Sequence, residues 1–373
     1  MKKTIIIILS AIFLIMTACH NKEINTKRSN VWRIDPTTSQ TMNLSLFVDS
    51  IYLVPLETRN ECLIKRITSI NYQNEKFYIN NNLTDIQVYD YTGHFLYSTH
   101  KYIGRGPNDY MSILSYRLLS NDTIELFDAV AKKLHYYHPT QGLIYSHKLP
   151  DNLLPVREYA VINHDTCIFS GGKTSLRFYS KKEQDYIKQI HDKYEGKFIK
   201  VFKAFHRIDN QLYLSTTYPS NELFVLDEQL NKQTILKLDF GKYNFHIDEI
   251  PQDMNQHQSS NYYSTHNEWV YPYAKYILSN AYIAFFQFKE KMHVAYQNKK
   301  TNKTIVFKNI IGEKPQLMKP DFVTNDMLYY GSEPGYLPYL IDTSLMNSRE
   351  IAKINKIKDD DNPVIIIYKI KKQ

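Results

Sequence analysis

Cysteine is nearly absent: Cys19, Cys62 and Cys167 are the whole complement. No Cys-x-x-Cys pair is available for zinc or redox chemistry. His-Glu-x-x-His, EF-hand loops and a serine nucleophile elbow are also missing, which removes three familiar routes to metal or acyl chemistry. Gly171-Gly172-Lys173-Thr174 resembles the end of a phosphate loop, but the pattern needs a glycine four residues before the Gly-Lys pair and Cys167 stands near that place inside a strand. His135 and His138 lie three apart in a strand and point to opposite faces, so they do not share a metal. Asp359-Asp360-Asp361 reads as a charged turn. No metal and no cofactor is expected. The excess of 46 Lys and Arg over 38 Asp and Glu is spread thinly, with no basic block longer than three residues. Nucleic-acid binding wants a basic stripe with aromatics on one face, and none is present.

No apolar run is long enough to cross a bilayer as a helix. The longest lies at the N-terminus, from Ile5 to Met16, behind Lys2 and Lys3. About 12 apolar residues after a basic start read as a secretory signal peptide rather than a span of roughly 20. The run ends in Thr17-Ala18-Cys19, which resembles a bacterial lipobox. The resemblance implies cleavage before Cys19 and lipid on that cysteine, making the membrane a partner. Residues 1–18 are then signal peptide and 19–30 a polar tether, with one domain over 31–373. The implied location is the outer membrane. His20-Asn21-Lys22-Glu23 carries a single acid and leaves the face of that membrane open. Cys62 and Cys167 could bridge in an oxidising compartment, but their separation favours two buried thiols.

What the chain has in quantity is tyrosine, 31 residues against 11 glycines, within a hydrophobic content of 43%. That composition belongs to a folded globule. Tyr suits half-buried pleated surfaces, where the ring packs and the hydroxyl reaches water.

Beyond residue 31 the sequence is a succession of short runs rich in Ile, Val, Tyr and Phe, separated by polar turns. Ser50–Leu56, Ile67–Tyr72, Lys76–Asn80, Ile86–Tyr89 and His94–Ser98 are clear strands. They recur as a weak repeat. One unit covers residues 67–99 and a second 115–149. A third holds strands at 159–162, 166–170 and 176–179. A fourth covers 202–240 and a fifth 275–309. Four strands per unit is the pattern of a propeller blade. Five units and a composite closing blade predict an all-β, six-bladed β-propeller of four-stranded antiparallel blades. Tyr186, Ile187, Ile190 and Tyr194 predict an inserted helix over Lys181–Lys197, and a second short helix is expected near Ser344–Lys356. Residues 241–274 form a long insertion.

Three segments carry a resemblance to a known family. They are Gly104-Arg105-Gly106-Pro107-Asn108-Asp109-Tyr110, Val54-Pro55-Leu56-Glu57-Thr58, and Asp361-Asn362-Pro363 before Val364–Tyr368. With the lipobox they resemble the six-bladed propeller lipoproteins of Bacteroidetes, NHL-like in their repeats. Asp109 stands where that family usually has Glu. Gly104 and Gly106 permit positive φ, Pro107 fixes the next φ, and Asp109 caps the turn. Arg105 projects from this turn as a candidate ligand contact. The last strand is expected to close the ring.

The aromatics of the long insertion, Tyr262, Tyr263, Trp269 and Tyr271, are the other binding candidates, suited to sugars or peptides if exposed. Asp49-Ser50-Ile51 and Asp122-Thr123-Ile124 resemble the O-glycosylation acceptors of Bacteroidetes, which would modify Ser50 and Thr123. The leading functional reading is a non-enzymatic, lipid-anchored envelope propeller that binds a glycan, peptide or partner protein. A glycan- or peptide-acting lyase or hydrolase using channel-facing residues is the alternative, and a scaffold of an outer-membrane complex is a third. Catalytic residues are not identifiable in the sequence. Acids or His clustered at the channel mouth favour the enzyme; an open aromatic face favours binding.

Overall fold

The computed structural model describes residues 30–372, apart from 107, 154, 157, 172–173, 192–193, 195–202, 217 and 252. Six antiparallel sheets form a six-bladed β-propeller. Blade 1 comprises Ile67–Gln73, Lys76–Asn81, Asp85–Asp90 and Phe95–Ser98. Blade 2 comprises Ser115–Leu118, Ile124–Asp128, Lys133–His138 and Gly142–Lys148. Blade 3 is Glu158–Val161, Thr166–Gly171, Thr174–Ser180 and Asp185–Ile190. Blade 4 is Phe205–Ile208, Gln211–Leu214, Glu222–Leu226 and Lys232–Asp239. Blade 5 is Tyr271–Ile277, Ala281–Phe288, Lys291–Asn298 and Thr304–Lys308.

Blade 6 is composite. Phe322–Val323, Met327–Ser332 and Val364–Ile370 supply three strands, and Val48–Pro55 from the other end of the chain supplies the outer one. The register places Leu53 opposite Ile366 and Pro55 opposite Val364. The outer strand leaves an edge that would attract other strands. Here the helix Ser348–Ile354, labelled α1, covers part of it. Glu350 Oε2 accepts from the Leu53 N–H at 2.7 Å, and Lys353 Nζ donates to the Leu53 carbonyl at 2.5 Å. The helix expected near Ser344–Lys356 is therefore an edge cap.

Two short segments ahead of the closing strand form a belt. Asn30–Arg33 pairs in parallel with the outer strand of blade 4, and Gln40–Thr41 pairs in parallel with that of blade 5. With Val48–Pro55 they make one segment of chain the rim of three consecutive blades.

The core lies between blades. Apolar side chains of each blade pack against the next around the ring. Tyrosine fills these wedges more deeply than expected. Tyr78, Tyr89, Tyr110, Tyr137, Tyr179 and Tyr368 are fully buried. Several hydroxyls bond inside the protein rather than to water: Tyr89 to Cys62 O at 2.9 Å, Tyr110 to Thr99 O at 2.9 Å, and Tyr116 to Tyr78 O at 2.6 Å. A buried ring with a bonded hydroxyl supplies area without leaving an unpaired polar group. Cys62 and Cys167 are separate buried thiols, as favoured.

The predicted helix over Lys181–Lys197 is a correction. Asp185–Ile190 is the outer strand of blade 3, with half-buried and exposed residues alternating. Tyr186 and Ile190 are four apart, a spacing that suits both the helical period and twice the strand period. Tyr186 packs edge-on against Tyr179, 6.1 Å between ring centres, which settles the choice in favour of the sheet.

Low glycine content is accommodated in the turns. Asn74-Glu75 and Lys289-Glu290 adopt positive φ at both central residues of two-residue hairpins, where Asn-Gly is the commoner choice. Gly93 is a position that requires glycine. Its φ is +95°, and a Cβ there would stand 2.1 Å from the Pro55 carbonyl oxygen.

Candidate functional site

The first strands of all six blades surround the propeller axis and enclose a cavity of about 850 Å³. Each blade is an antiparallel meander built outward from its first strand. The six first strands therefore run the same way, and the connections between blades arrive at one face, the leading mouth. Residues at or just before the start of a first strand line that mouth.

Ionisable side chains gather there from four consecutive blades. Glu158 begins the first strand of blade 3, and Lys203 and His206 flank the start of that of blade 4. Lys275 lies further along that of blade 5, as the fifth of its seven residues, and acts on His206; Lys319 and Asp321 precede that of blade 6, and all six line the cavity. Glu158 Oε2 accepts from the N–H groups of Ala204 and Phe205 at 2.6 and 3.0 Å. Burial nevertheless pushes its carboxyl up to about 7, against the opposing pull of Lys203, the two N–H groups and Lys319. Lys275 is 3% exposed and donates to Ser220 O at 2.6 Å. Burial brings its ammonium down to about 7, with Glu222 acting the other way. Asp321 accepts from the Gly331 N–H at 2.9 Å, and burial raises its carboxyl.

His206 lies between blades 4 and 5. Its ring stacks on Tyr213, 5.3 Å between centres, and meets Tyr276 edge-on at 5.2 Å. Burial, then the charges of Lys275, Lys319 and Lys203, lower the imidazole to about 3, so it is neutral at physiological pH. Its Nε2 is closed off without a hydrogen-bond partner among the described residues.

Arg117, also on the cavity wall, is already engaged. It meets Glu125 through Nε and Nη2, both at 3.2 Å, and Glu125 also holds Lys181 Nζ at 3.2 Å and the Tyr159 hydroxyl at 2.6 Å. Burial disfavours the Glu125 anion, but the two cations and the hydroxyl hold its carboxyl below the ordinary range. Among the described residues no group of three or more His, Cys, Asp or Glu is placed to hold a metal ion.

Residues 29–369 match the family described as domain of unknown function (DUF4934). The chain belongs to the DUF4934 family. No curated protein matches it. A Bacteroides fragilis protein designated as exported has a similar structure, with TM-score 0.70 and 14% identity, covering 92% of this chain and 100% of that one. A member of the DUF4221 family from Bacteroides vulgatus aligns with TM-score 0.52 and 12% identity, over 87% of this chain and 97% of that one. At these identities the likeness is one of fold.

In this DUF4934 propeller the aromatic candidates come together, but not as an open face. Trp269 is 6% exposed and Tyr271 3%. They pack with Phe245 and Ile250, and Tyr262 rests against them. Tyr262 stacks on His266 at 4.1 Å and His266 on Trp269 at 4.7 Å. The insertion satisfies its rings internally, around the helix Gln256–Thr265 (α2), capped by Asn255 and Gln258. Its last residues, from Tyr271, are the first strand of blade 5. The Tyr263 side chain lies outside the described residues.

The Gly104–Tyr110 loop joins blades 1 and 2. Asp109 caps it as expected, accepting from the Gly106 N–H at 2.8 Å. Neither Gly104 nor Gly106 has positive φ, which corrects the conformational reading. Their role is close approach: a Cβ would come within 2.2 and 2.8 Å of Asp109 Oδ2. Pro107 lies outside the described residues. Arg105 is exposed on this loop and does not line the cavity. Thr123, just ahead of the second strand of blade 2, is buried, and Ser50 is half-buried and bonds Asp49 and Tyr52. Cys19 lies outside the described residues.

The mouth residues carry no motif. Glu158, His206 and Lys275 do interrupt apolar or aromatic first strands, but at the first, second and fifth positions, so no common spacing marks them.

Proposed function

We propose that this DUF4934 protein is an exported, lipid-anchored propeller of the Bacteroides cell envelope that binds a ligand in its central channel. The signal sequence, the lipobox-like Thr17-Ala18-Cys19 and the likeness to an exported Bacteroides fragilis protein support the location. The observation that carries the binding site is the cavity of about 850 Å³ walled by desolvated ionisable groups from four blades. That volume is of the order used for small ligands, which typically occupy about 300–1,000 Å³. Glu158, Lys275 and Asp321 are each fixed by backbone partners, so they present preset charges rather than mobile ones. The site thus moves from the aromatic insertion, whose rings are packed, to the axis.

Acid–base catalysis is a second reading, favoured by one observation. A carboxyl at about 7 is poised to give or take a proton at neutral pH.

Anchoring predicts that the wild-type chain incorporates labelled palmitate and pellets with membranes, whereas Cys19→Ala does neither. An unlabelled, soluble wild type would remove the anchor. For the channel, thermal-shift screening of the mature protein against glycan, peptide and metabolite pools is expected to yield stabilising ligands, by mass action on the folded state. Lys203→Trp, which fills the mouth, is expected to abolish the shift. A ligand recovered intact supports binding; a converted one supports the enzyme; a shift unaffected by Lys203→Trp moves the site elsewhere.

A further inference from the structure

We propose that the outer edge of blade 2 is a docking surface for another protein, which adds an extended segment there as a fifth strand. That segment runs parallel to Gly142–Lys148, covers Tyr145 with an apolar side chain and sets an acidic one opposite Lys148. The surface is on the rim of the propeller, and none of its residues lines the channel.

The belt shows what an outer edge of this propeller accepts. Asn30–Arg33 and Gln40–Thr41 lie parallel to the outer strands of blades 4 and 5, and α1 caps part of the edge of blade 6. Among the described residues, the outer strands of blades 1, 2 and 3 have no further strand beside them. A shared bulge lets these edges be compared position by position. It leaves one extra aliphatic residue in each outer strand: Leu96 in blade 1, Ile144 in blade 2, Ile187 in blade 3 and Ile235 in blade 4. The first three are exposed, whereas Ile235, in a blade that carries the belt, is half-buried. The next position separates the blades further. In blade 4 it is Leu236, fully buried in a cluster with Trp32 of the belt. In blade 2 it is Tyr145, which is 56% exposed.

Blade 2 offers the most complete of the three bare edges. Its outer strand has seven residues, contains neither proline nor acid, and exposes Ile144 and Tyr145 side by side. An edge of that kind attracts strands. The outer strand of blade 1 has only four residues and passes into the turn His100–Tyr102. Blade 3 has Lys188 at the Tyr145 position, tied by its Nζ to Gln229 O at 2.7 Å and Asn231 Oδ1 at 2.6 Å. The charge of the partner follows from the same alignment. Arg33 of the belt stands opposite Asp239 and pairs with it at 3.8 Å. Asp239 is three residues beyond Leu236, and the residue three beyond Tyr145 is Lys148. Lys132 and Lys148 share one carboxylate, Asp151, at 3.7 and 3.8 Å. Two ammonium groups thus meet one acid, and an acid on the incoming strand supplies the second. The partner segment is therefore the belt with its charge reversed: an apolar residue where Trp32 stands and Asp or Glu where Arg33 stands.

The test is fluorescence anisotropy of two labelled peptides with the soluble chain from residue 20 onward. One peptide repeats residues 29–36; the other is the same with Arg33→Glu. The Arg33→Glu peptide is expected to bind saturably, and more tightly than the unaltered one by about fivefold, the scale of one exposed ion pair. In the Lys148→Asp protein the order of the two peptides should reverse. Tyr145→Asp should weaken the Arg33→Glu peptide by about tenfold or more, the scale of burying one large apolar side chain. Lys148 is exposed, so Lys148→Asp reports on the edge even should Tyr145→Asp fail to fold. Absence of binding by both peptides overturns the inference. So does an order that Lys148→Asp leaves unchanged, or binding that a folded Tyr145→Asp protein retains in full. Light scattering of the same protein completes the test. A dimer that Tyr145→Asp dissociates would assign the edge to a second copy of this chain and overturn a different protein as its occupant.

Discussion

Replacing Asn362 by leucine is expected to destabilise the fold by about 2 to 4 kcal/mol, because it removes three hydrogen bonds to backbone groups and leaves the Ile64 N–H without its partner, at roughly 1–3 kcal/mol for a stranded group and about 1 kcal/mol for each other bond. Asn362 is 5% exposed and sits just before the third strand of blade 6. Its Nδ2 donates to Glu57 O at 2.7 Å and Cys62 O at 2.8 Å, and its Oδ1 accepts from the Ile64 N–H at 2.9 Å. The whole amide is used, and every partner lies in the segment that leads from the closing strand into blade 1. Leucine has nearly the same volume and none of these groups. Asn362→Asp is a sharper probe: it keeps the acceptor for Ile64 but turns a carboxylate oxygen toward two carbonyls. Urea unfolding of the three proteins measures the cost. A loss below about 1 kcal/mol for both variants would show that the ring closes without this amide.

Glu125→Gln should cost a comparable amount, about 3 to 5 kcal/mol, since removing one member of a buried ion pair leaves the others uncompensated. The Glu125 side chain is fully buried, and it holds Arg117 within blade 2 together with Lys181 and Tyr159 of blade 3. The glutamine is nearly isosteric, so packing is retained and charge is what changes. The same substitution frees Arg117 toward the channel. Unfolding at pH 7 is expected to show the loss. With Glu125 protonated in the wild type at low pH, the difference between the two proteins should shrink as pH falls through the lowered Glu125 pKa. A constant difference from pH 7 to pH 2 would mean that shape, not charge, is what Glu125 contributes.

Much of the ring was legible because each strand carries its own signal. Ile67–Gln73 or Ala281–Phe288 reads as a strand from its own residues, and a four-strand unit repeated five times fixes the architecture. The belt was not legible. Asn30–Arg33 and Gln40–Thr41 become strands because the outer edges of blades 4 and 5 offer them partners. Asp185–Ile190 failed for a different reason, since a spacing of four serves two periods. The site was least legible. Glu158, Lys203, His206, Lys275, Lys319 and Asp321 span more than 160 positions, and only the ring brings them to one mouth. Trp269 and Tyr271 misled because a packed ring and an exposed ring look alike in a sequence.

The composite blade also sets the order in which this molecule can be made. Asn362 bonds Thr58 across 304 positions of chain, and Val48–Pro55 has Val364–Ile370 as its one strand partner in the sheet among the described residues. A chain made N-terminus first presents Val48–Pro55 early and leaves that strand without its ladder until Val364–Ile370 follows. Contacts of such long range are slow to form. Completion of the ring therefore waits for the closing ladder, and a chain stopped short of residue 364 carries an open strand edge that other strands can join.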